Sequence, residues 1–391
     1  MPNHPPGPPD AALAGVNSGD GFELRQARAI SEIAPGAWNA LAGRQPFLQH
    51  TFFDALEASG CVSASTGWTP CHLTLWQGDE LAAALPLYEK AHSYGEFVFD
   101  WAWAEAYARS GLAYYPKLVS AVPFTPVQGA RLLARDADAR CALLARALQF
   151  AHASSLSSWH VLFPDEAQAN ILAAQGMMLR EAVQFHWRNP GWRDFEDFLA
   201  TLTRDKRKKI RQERRRVADA GVSLRRRGGR DVSREDWKFF YRCYCRTYHE
   251  RGRTPYLNLD FFLRLGAAMP DNLLLVIAER NGRDIAAALD MLDATSLYGR
   301  YWGALEFVPG LHFEACYYQG IEFCIERGLT LFEGGAQGEH KLARGFEPVR
   351  TWSAHWLAEP RFADAVARFL QRESHGMALY IDELNEHRPF R

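Results

Sequence analysis

The densest chemistry in the chain lies in the run Glu333-Gly334-Gly335-Ala336-Gln337-Gly338-Glu339-His340-Lys341. Three glycines in six residues give the backbone unusual freedom directly after an apolar strand-like run, and loops that follow strands are where sites commonly sit. A strand-end carboxylate can be desolvated and its proton affinity raised, so Glu333 is the first candidate for a general base, direct or through water. His340 competes for that role, because imidazole titrates near neutrality unaided. Lys341 and Arg344 offer cations for an acidic group on either reactant. The plain alternative is a Gly-rich hairpin whose charges face solvent.

Upstream, Pro309-Gly310 reads as a turn entering a helix whose first residues are Leu311-His312-Phe313-Glu314. A helix start there would aim its N–H groups at a phosphate or a carbonyl. On one helix His312 and Glu314 point apart, so both serve one small site only if one of them precedes the helix proper. His312, Glu314 and His340 lack H-E-x-x-H spacing, and no catalytic metal is expected.

From Arg204 to Arg230 there are thirteen Arg or Lys and three acids. On a helix, Arg204, Lys206, Arg207, Lys208, Lys209, Arg211, Arg214, Arg215 and Arg216 spread positive charge around much of the circumference, as a phosphate-tracking surface would. That surface suits tRNA, a CoA 3′-phosphate, a lipid pyrophosphate or anionic lipid. No ladder of aromatics interrupts the run, so sequence-specific RNA reading is not indicated.

These residues sit in a chain of 391 residues, too long for one ordinary domain. Hydrophobic residues are 48%, and 45 basic against 46 acidic side chains leave a formal charge of −1, which excludes a globally basic nucleic-acid coat protein. Seven cysteines without C-x-x-C spacing indicate neither a disulfide framework nor a zinc ribbon, and fit a reducing cytoplasm. No run of about 18 apolar residues is present, so no transmembrane segment is expected. The Pro- and Gly-rich start, residues 1–20, reads as a disordered leader with no signal-peptide features. P-loop, Rossmann and nucleophile-elbow motifs are absent from the sequence.

The chain contains itself twice. GDELAAALPL (78–87) aligns with GRDIAAALDM (282–291), and the same offset carries Tyr94-Gly95 onto Tyr298-Gly299. GMMLREAVQFHW (176–187) lies over GFEPVRTWSAHW (345–356). In the second copy, Asn281-Gly282 between two apolar runs predicts a type I′ hairpin, followed by the strand SLYGRYWGA. A helix is predicted from about Glu314 to Arg327 with Gly328 as its C′ residue, then the strands LTLFEGG and RTWSAHWLA. Helices are predicted ahead of these at 194–220 and 234–251, the second capped by Ser233 with Asp236. Each copy is thus α+β, with a mixed, mostly antiparallel sheet flanked by helices. The predicted domains are 21–190 and 191–391, the second carrying the basic helix 204–220. The first copy lacks the Gly-rich loop, and its aromatics Trp101, Trp103, Tyr107, Tyr114 and Tyr115 read as core, with a ligand box as the alternative.

That order of elements resembles the GNAT acyltransferase fold, and two copies in one chain resemble the FemA/FemB-like branch, whose members add aminoacyl groups to cell-wall precursors. SLYGRYWGALEF, ERGLTLFEGGAQGEHKLARGFEP and the basic RDKRKKIRQERRRVADAGV carry the resemblance, and LHFEACYYQG with EGGAQGEHKLARGF is most similar to the bacterial FemAB-like group of N-acyltransferases. The resemblance implies direct transfer of an acyl or aminoacyl group, from acyl-CoA or aminoacyl-tRNA as co-substrate, to an amine on a small molecule, peptide or cell-wall precursor. It implies no permanently bound cofactor. It also implies a splayed central strand, here at Tyr301-Trp302-Gly303-Ala304, where the small residues let a ligand approach the backbone. On this reading Glu333, His340 and Tyr301 are the catalytic candidates. Trp302, Gly303, Ala304, His312, Glu314, Lys341 and Arg344 are the co-substrate-binding candidates. The rival reading is a non-catalytic duplicated scaffold that binds nucleic acid or an anionic envelope component through residues 204–230.

Overall fold

The computed structural model describes residues 21–336, 338–387 and 389–390. The leader predicted at 1–20 lies outside the described residues. The chain forms two compact units, Met1–Ala182 with Thr351–Gly376, and Val183–Arg350 with Met377–Arg391.

The first copy runs β1 (Glu23–Ala27), α1 (Pro35–Ala42), α2 (His50–Ala58), β2 (Trp68–Pro70), β3 (His72–Gln77), β4 (Glu80–Leu85), β5 (Tyr88–Lys90) and α3 (Trp101–Arg109). It continues through β6 (Lys117–Ser120), β7 (Leu133–Ala134), α4 (Ala137–Ala153), β8 (Ser158–Leu162), α5 (Glu166–Ala174) and β9 (Met178–Arg188). The strands β1, β3, β4 and β7 form an antiparallel sheet. Leu73, Leu75, Ala83 and Leu85 of that sheet are buried with Leu143, Ala147 and Phe150 of α4. Asp136 caps α4 by accepting from the Ala139 N–H, which satisfies a donor the helix start would otherwise leave unpaired.

The second copy runs α6 (Phe195–Thr201), α7 (Arg204–Asp219), β10 (Val222–Gly228), α8 (Arg234–His249), α9 (Leu259–Ala268), β11 (Leu273–Arg280), β12 (Arg283–Leu292) and β13 (Ser296–Ala304). Then come α10 (Leu311–Phe313), a π-helical turn (Glu314–Tyr318), α11 (Gln319–Arg327), β14 (Leu331–Ala336), β15 (Glu347–Leu357) and α12 (Pro360–Glu386). The hairpin predicted at Asn281-Gly282 joins β11 to β12, with φ of 54° and 74° as a type I′ turn requires. The Ser233–Asp236 capping box opens α8, and Gly328 ends α11 at φ 68°. One predicted helix, 194–220, is two. Between α6 and α7 the Thr203 N–H donates to the Pro389 carbonyl, and Leu202 bridges Phe390, so the backbone there bonds to the C-terminal segment instead of along a helix.

The predicted cut at 190 does not coincide with the compact units. Residues 184–188 of β9 pair antiparallel with β14 of the second copy. Residues 353–357 of β15 pair antiparallel with β8 of the first. Each copy therefore completes its sheet with the other copy's last strand. The two strands are the ones that align in sequence, and their histidines, His186 and His355, sit opposite Glu333 and His160 respectively.

Candidate functional site

The site is built on β13. Its parallel pairing with β14 covers only Ser296–Tyr298 against Leu331–Glu333, after which the strands part. On the other edge the register with β12 slips, since Leu289 opposes Tyr301 while Asp290 opposes Gly299, leaving Arg300 as the extra residue of a bulge. A bulge bends its strand and increases the twist, which carries residues 301–304 away from β14. The splay predicted at Tyr301–Ala304 thus opens at Gly299.

Strand alternation then divides the predicted residues between two faces. Tyr301 meets Tyr244 and Phe262 of α8 and α9 edge-on, with ring centroids 5.5 and 5.6 Å away. Gly303 lies on that same face. A Cβ there would stand 1.8 Å from the Cys243 carbonyl oxygen, so its small size serves the packing of α8, not the approach of a ligand. Ala304 packs with Val217, Val222, Val308 and Leu311. Trp302 faces the other way, 5.5 Å from the ring of His312, with its carbonyl held by the Thr247 hydroxyl at 2.8 Å. Tyr301 is consequently separated from the histidines it was expected to assist.

On the Trp302 face the structure brings His312, His340, Lys341 and Arg344 together. His340 is exposed, and its Nε2 lies 3.0 Å from the hydroxyl of buried Tyr317. Its ring stands 6.2 Å from that of His312 and 5.6 Å from that of Phe313. Partial burial, with Arg344 and Lys341 nearby, lowers the proton affinity of His340 below the usual imidazole range. Deeper burial, with His340 and the same two cations beside it, holds His312 at about 4. Both rings are neutral at pH 7. Lys341 is buried, donates to the Gly335 carbonyl at 2.8 Å, and is brought down by desolvation, with Arg300 adding to it, to about 7. Arg344 lies across Phe313 at 3.4 Å and donates to the His340 carbonyl (2.6 Å) and to Glu213 (2.7 Å), which fixes the loop to α7. It is a strut of the site, already occupied by protein acceptors.

Glu333 is buried as expected, but not as an isolated carboxyl. It accepts from Arg300 at 3.1 Å, in an ion pair whose two side chains are 2% and 5% exposed. Glu314 is also turned away from the site. The guanidinium of Arg214 on α7 grips both its oxygens at 3.0 and 3.1 Å, and Gln319 adds a third bond at 2.8 Å. The opposed directions expected of His312 and Glu314 are what the π-helical turn delivers. Gln337 lies outside the described residues.

Sequence reasoning missed Asp290. Buried inside the apolar strand β12, its Oδ2 has no hydrogen-bond partner among the described residues, and desolvation raises it to about 8 despite Arg300. The signal was present, since one acid inside AAALDML is out of place on a buried strand. Tyr317 was overlooked as the partner of His340 because one sequence gives no contact between residues 23 apart.

The basic segment proves partly neutralised. Arg211 pairs with Glu196, Arg214 with Glu314 and Glu322, Arg225 with Glu279 and Asp284, Arg226 with Glu326, Arg227 with Asp236 and Arg230 with Asp271. Arg207 donates to the Ala200 carbonyl. Arg204, Lys208, Lys209, Arg215 and Arg216 remain exposed on α7, and Lys206 is half-buried. Among the described residues no group of three or more His, Cys, Asp or Glu is placed to hold a metal ion, and no helix is long and apolar enough to cross a membrane.

Comparison with known proteins agrees with this architecture. No curated protein sequence matches the chain. Among solved structures, FemX overlays with a TM-score of 0.54 at 13% identity, covering 87% of this chain and 99% of its own. L-PGS from Bacillus licheniformis overlays with a TM-score of 0.50 at 11% identity, covering 84% of this chain and 97% of its own. A tandem GNAT protein from the clavulanic acid biosynthesis pathway gives 0.47 at 15% identity, covering 87% and 99%. At such identities the likeness is one of fold. A family model described as peptidoglycan biosynthesis/recognition matches residues 29–391. The chain therefore belongs to the FemAB-like family, and its fold is similar to that of FemX.

Proposed function

We propose that the protein is an N-acyltransferase that forms an amide by moving an acyl or aminoacyl group directly onto an amine, with His340 as general base. The observation that carries this is an exposed imidazole, neutral at pH 7, bonded to buried Tyr317 beside Trp302 and His312 at the mouth of a splayed strand pair. The amine nitrogen bonds to the carbonyl carbon of the donor, His340 takes the proton the amine loses, and the thiolate or ribose oxygen leaves and is reprotonated. The donor is acyl-CoA or aminoacyl-tRNA, acting as co-substrate with no resident cofactor. The family description favours a cell-wall precursor as the amine-bearing acceptor. Glu333 acts indirectly on this reading, fixing Arg300 at the bulge that opens the splay. The reaction is placed in the cytoplasm, where both donors occur.

A specific observation keeps the rival reading, a binding module, in play. Arg204, Lys208, Lys209, Arg215 and Arg216 have no carboxylate partner among the described residues and could track phosphates. One experiment separates the two. The melting temperature of the purified protein is measured with acetyl-CoA, a longer acyl-CoA, CoA and a charged tRNA pool, and donor turnover is followed with cell-wall precursors. An enzyme is stabilised by one donor class and, as His340→Ala, keeps that stabilisation while losing turnover. A binding module shows no turnover and loses its ligand when Arg215 and Arg216 are neutralised.

A further inference from the structure

The first copy carries a segment that is folded inside out. Between α3 and the end of β5, residues Ser93, Glu96 and Asp100 are buried, while Tyr94, Phe97, Phe99 and Trp101 are 54, 38, 57 and 40% exposed. Every exposed residue from 91 to 102 is uncharged: Ala91, Tyr94, Phe97, Phe99, Trp101 and Ala102. The usual rule for a surface loop is reversed.

The inward half has a clear cause. Lys117 of β6 is wholly buried, and a buried ammonium must be paired. It donates to Ser93 (2.9 Å), to Glu96 (2.8 Å) and to Asp100, and Asp100 also accepts from the Tyr114 hydroxyl at 2.6 Å. Arg180 tethers the loop through the Phe99 carbonyl at 2.6 Å. Phe97 is held at φ 61°, a left-handed conformation that a bulky side chain adopts only under constraint from its surroundings. With positions 93, 96 and 100 fixed inward, the aromatic positions between them are fixed outward. They cannot turn in to escape water without breaking the buried ion pairs.

We infer that this aromatic face, residues 94–101, docks the protein onto the interfacial region of a lipid bilayer. Two observations select that occupant. The four aromatics together present roughly 400 Å² of exposed surface, about half of what each partner of a stable protein pair buries. A second copy or a folded partner would need more area than the segment offers. The composition also fits, because Phe side chains flanked by Tyr and Trp, with Tyr94 against Trp101 at 4.9 Å, are what partitions at the boundary between headgroups and acyl chains. No charged side chain is exposed in the segment, so attachment relies on apolar insertion and not on anionic lipid.

The test is flotation of the full chain with vesicles of phosphatidylcholine alone, and with vesicles containing phosphatidylglycerol, over a range of salt. The expected result is binding to phosphatidylcholine that salt leaves unchanged and that Phe97→Ser with Phe99→Ser weakens at least tenfold at an unchanged melting temperature. Quenching of the natural protein's tryptophan fluorescence by brominated phosphatidylcholine provides a readout that depends on no variant. Absence of binding and quenching with phosphatidylcholine overturns the proposal. So does a double variant that binds as the natural chain does. Binding that requires phosphatidylglycerol and disappears on neutralising Arg215 and Arg216 assigns membrane attachment to α7 instead. A concentration-dependent dimer abolished by the double variant assigns the face to a second copy.

Discussion

At His340 the proton affinity sets a direction for the pH dependence. The base is the neutral ring, and burial with Arg344 and Lys341 nearby lowers the pH at which it protonates. Turnover should therefore hold as pH falls to the ordinary imidazole range and drop only below it. His340→Ala should cut kcat/KM at least about 100-fold, the usual scale for a lost general base, and remove the acid limb of the profile. Arg300 and Glu333 behave differently. Arg300→Ala removes the guanidinium paired with a buried carboxylate and should cost about 3–5 kcal/mol in urea unfolding, whereas Arg300→Met with Glu333→Gln together should cost less. Asp290 gives a third prediction. Its proton affinity is raised in the folded state, to about 8 from 3.8, so the folded chain holds a proton the unfolded chain releases. The associated stability is complete below the unfolded value and is lost as pH rises towards about 8. Asp290→Asn, which cannot ionise, should flatten that decline and raise unfolding free energy at pH 8 by several kcal/mol.

Elements hold these residues by close backbone contacts that a single side chain can spoil. The helix α8 lies on β13 at Gly303, with the Cys243 carbonyl where a Cβ would go. Gly303→Ala should cost about 3 kcal/mol in thermal or urea unfolding, since a backbone carbonyl cannot swing aside as a flexible side chain does. Loss of affinity for CoA at unchanged stability would instead restore Gly303 to the ligand face. Most of these elements were legible in sequence. The Asn281-Gly282 hairpin, the Ser233 cap and the Gly328 stop each depend on local backbone chemistry, which neighbouring residues specify. The faces were less legible. One bulge at Arg300 decides which way Tyr301 and Trp302 point, and a bulge depends on the partner strand.

For the whole molecule, the exchange of last strands makes each copy incomplete alone. A chain cut at 190 leaves the second half without residues 183–188 beside β14 and the first without residues 351–357 beside β8. Neither fragment should show a cooperative unfolding transition by circular dichroism when made separately, and mixing them should restore one. Two independently folding halves would contradict the pairing.

By itself the sequence determined the class, the duplication and the order of helices and strands. All of these follow from local patterns: turn residues, capping pairs, apolar periodicity and self-similarity. It also placed His312, His340, Lys341 and Arg344 close together, because they lie at the ends of neighbouring elements of a recognisable order. Tertiary structure alone decided which charges were already spoken for. Glu333 went to Arg300, Glu314 to Arg214, and six of the thirteen cations between 204 and 230 to carboxylates. An ion pair joins residues far apart in the chain. A side chain's identity states that it is charged, and only the packing around it states whether that charge is met by the protein or left for a substrate.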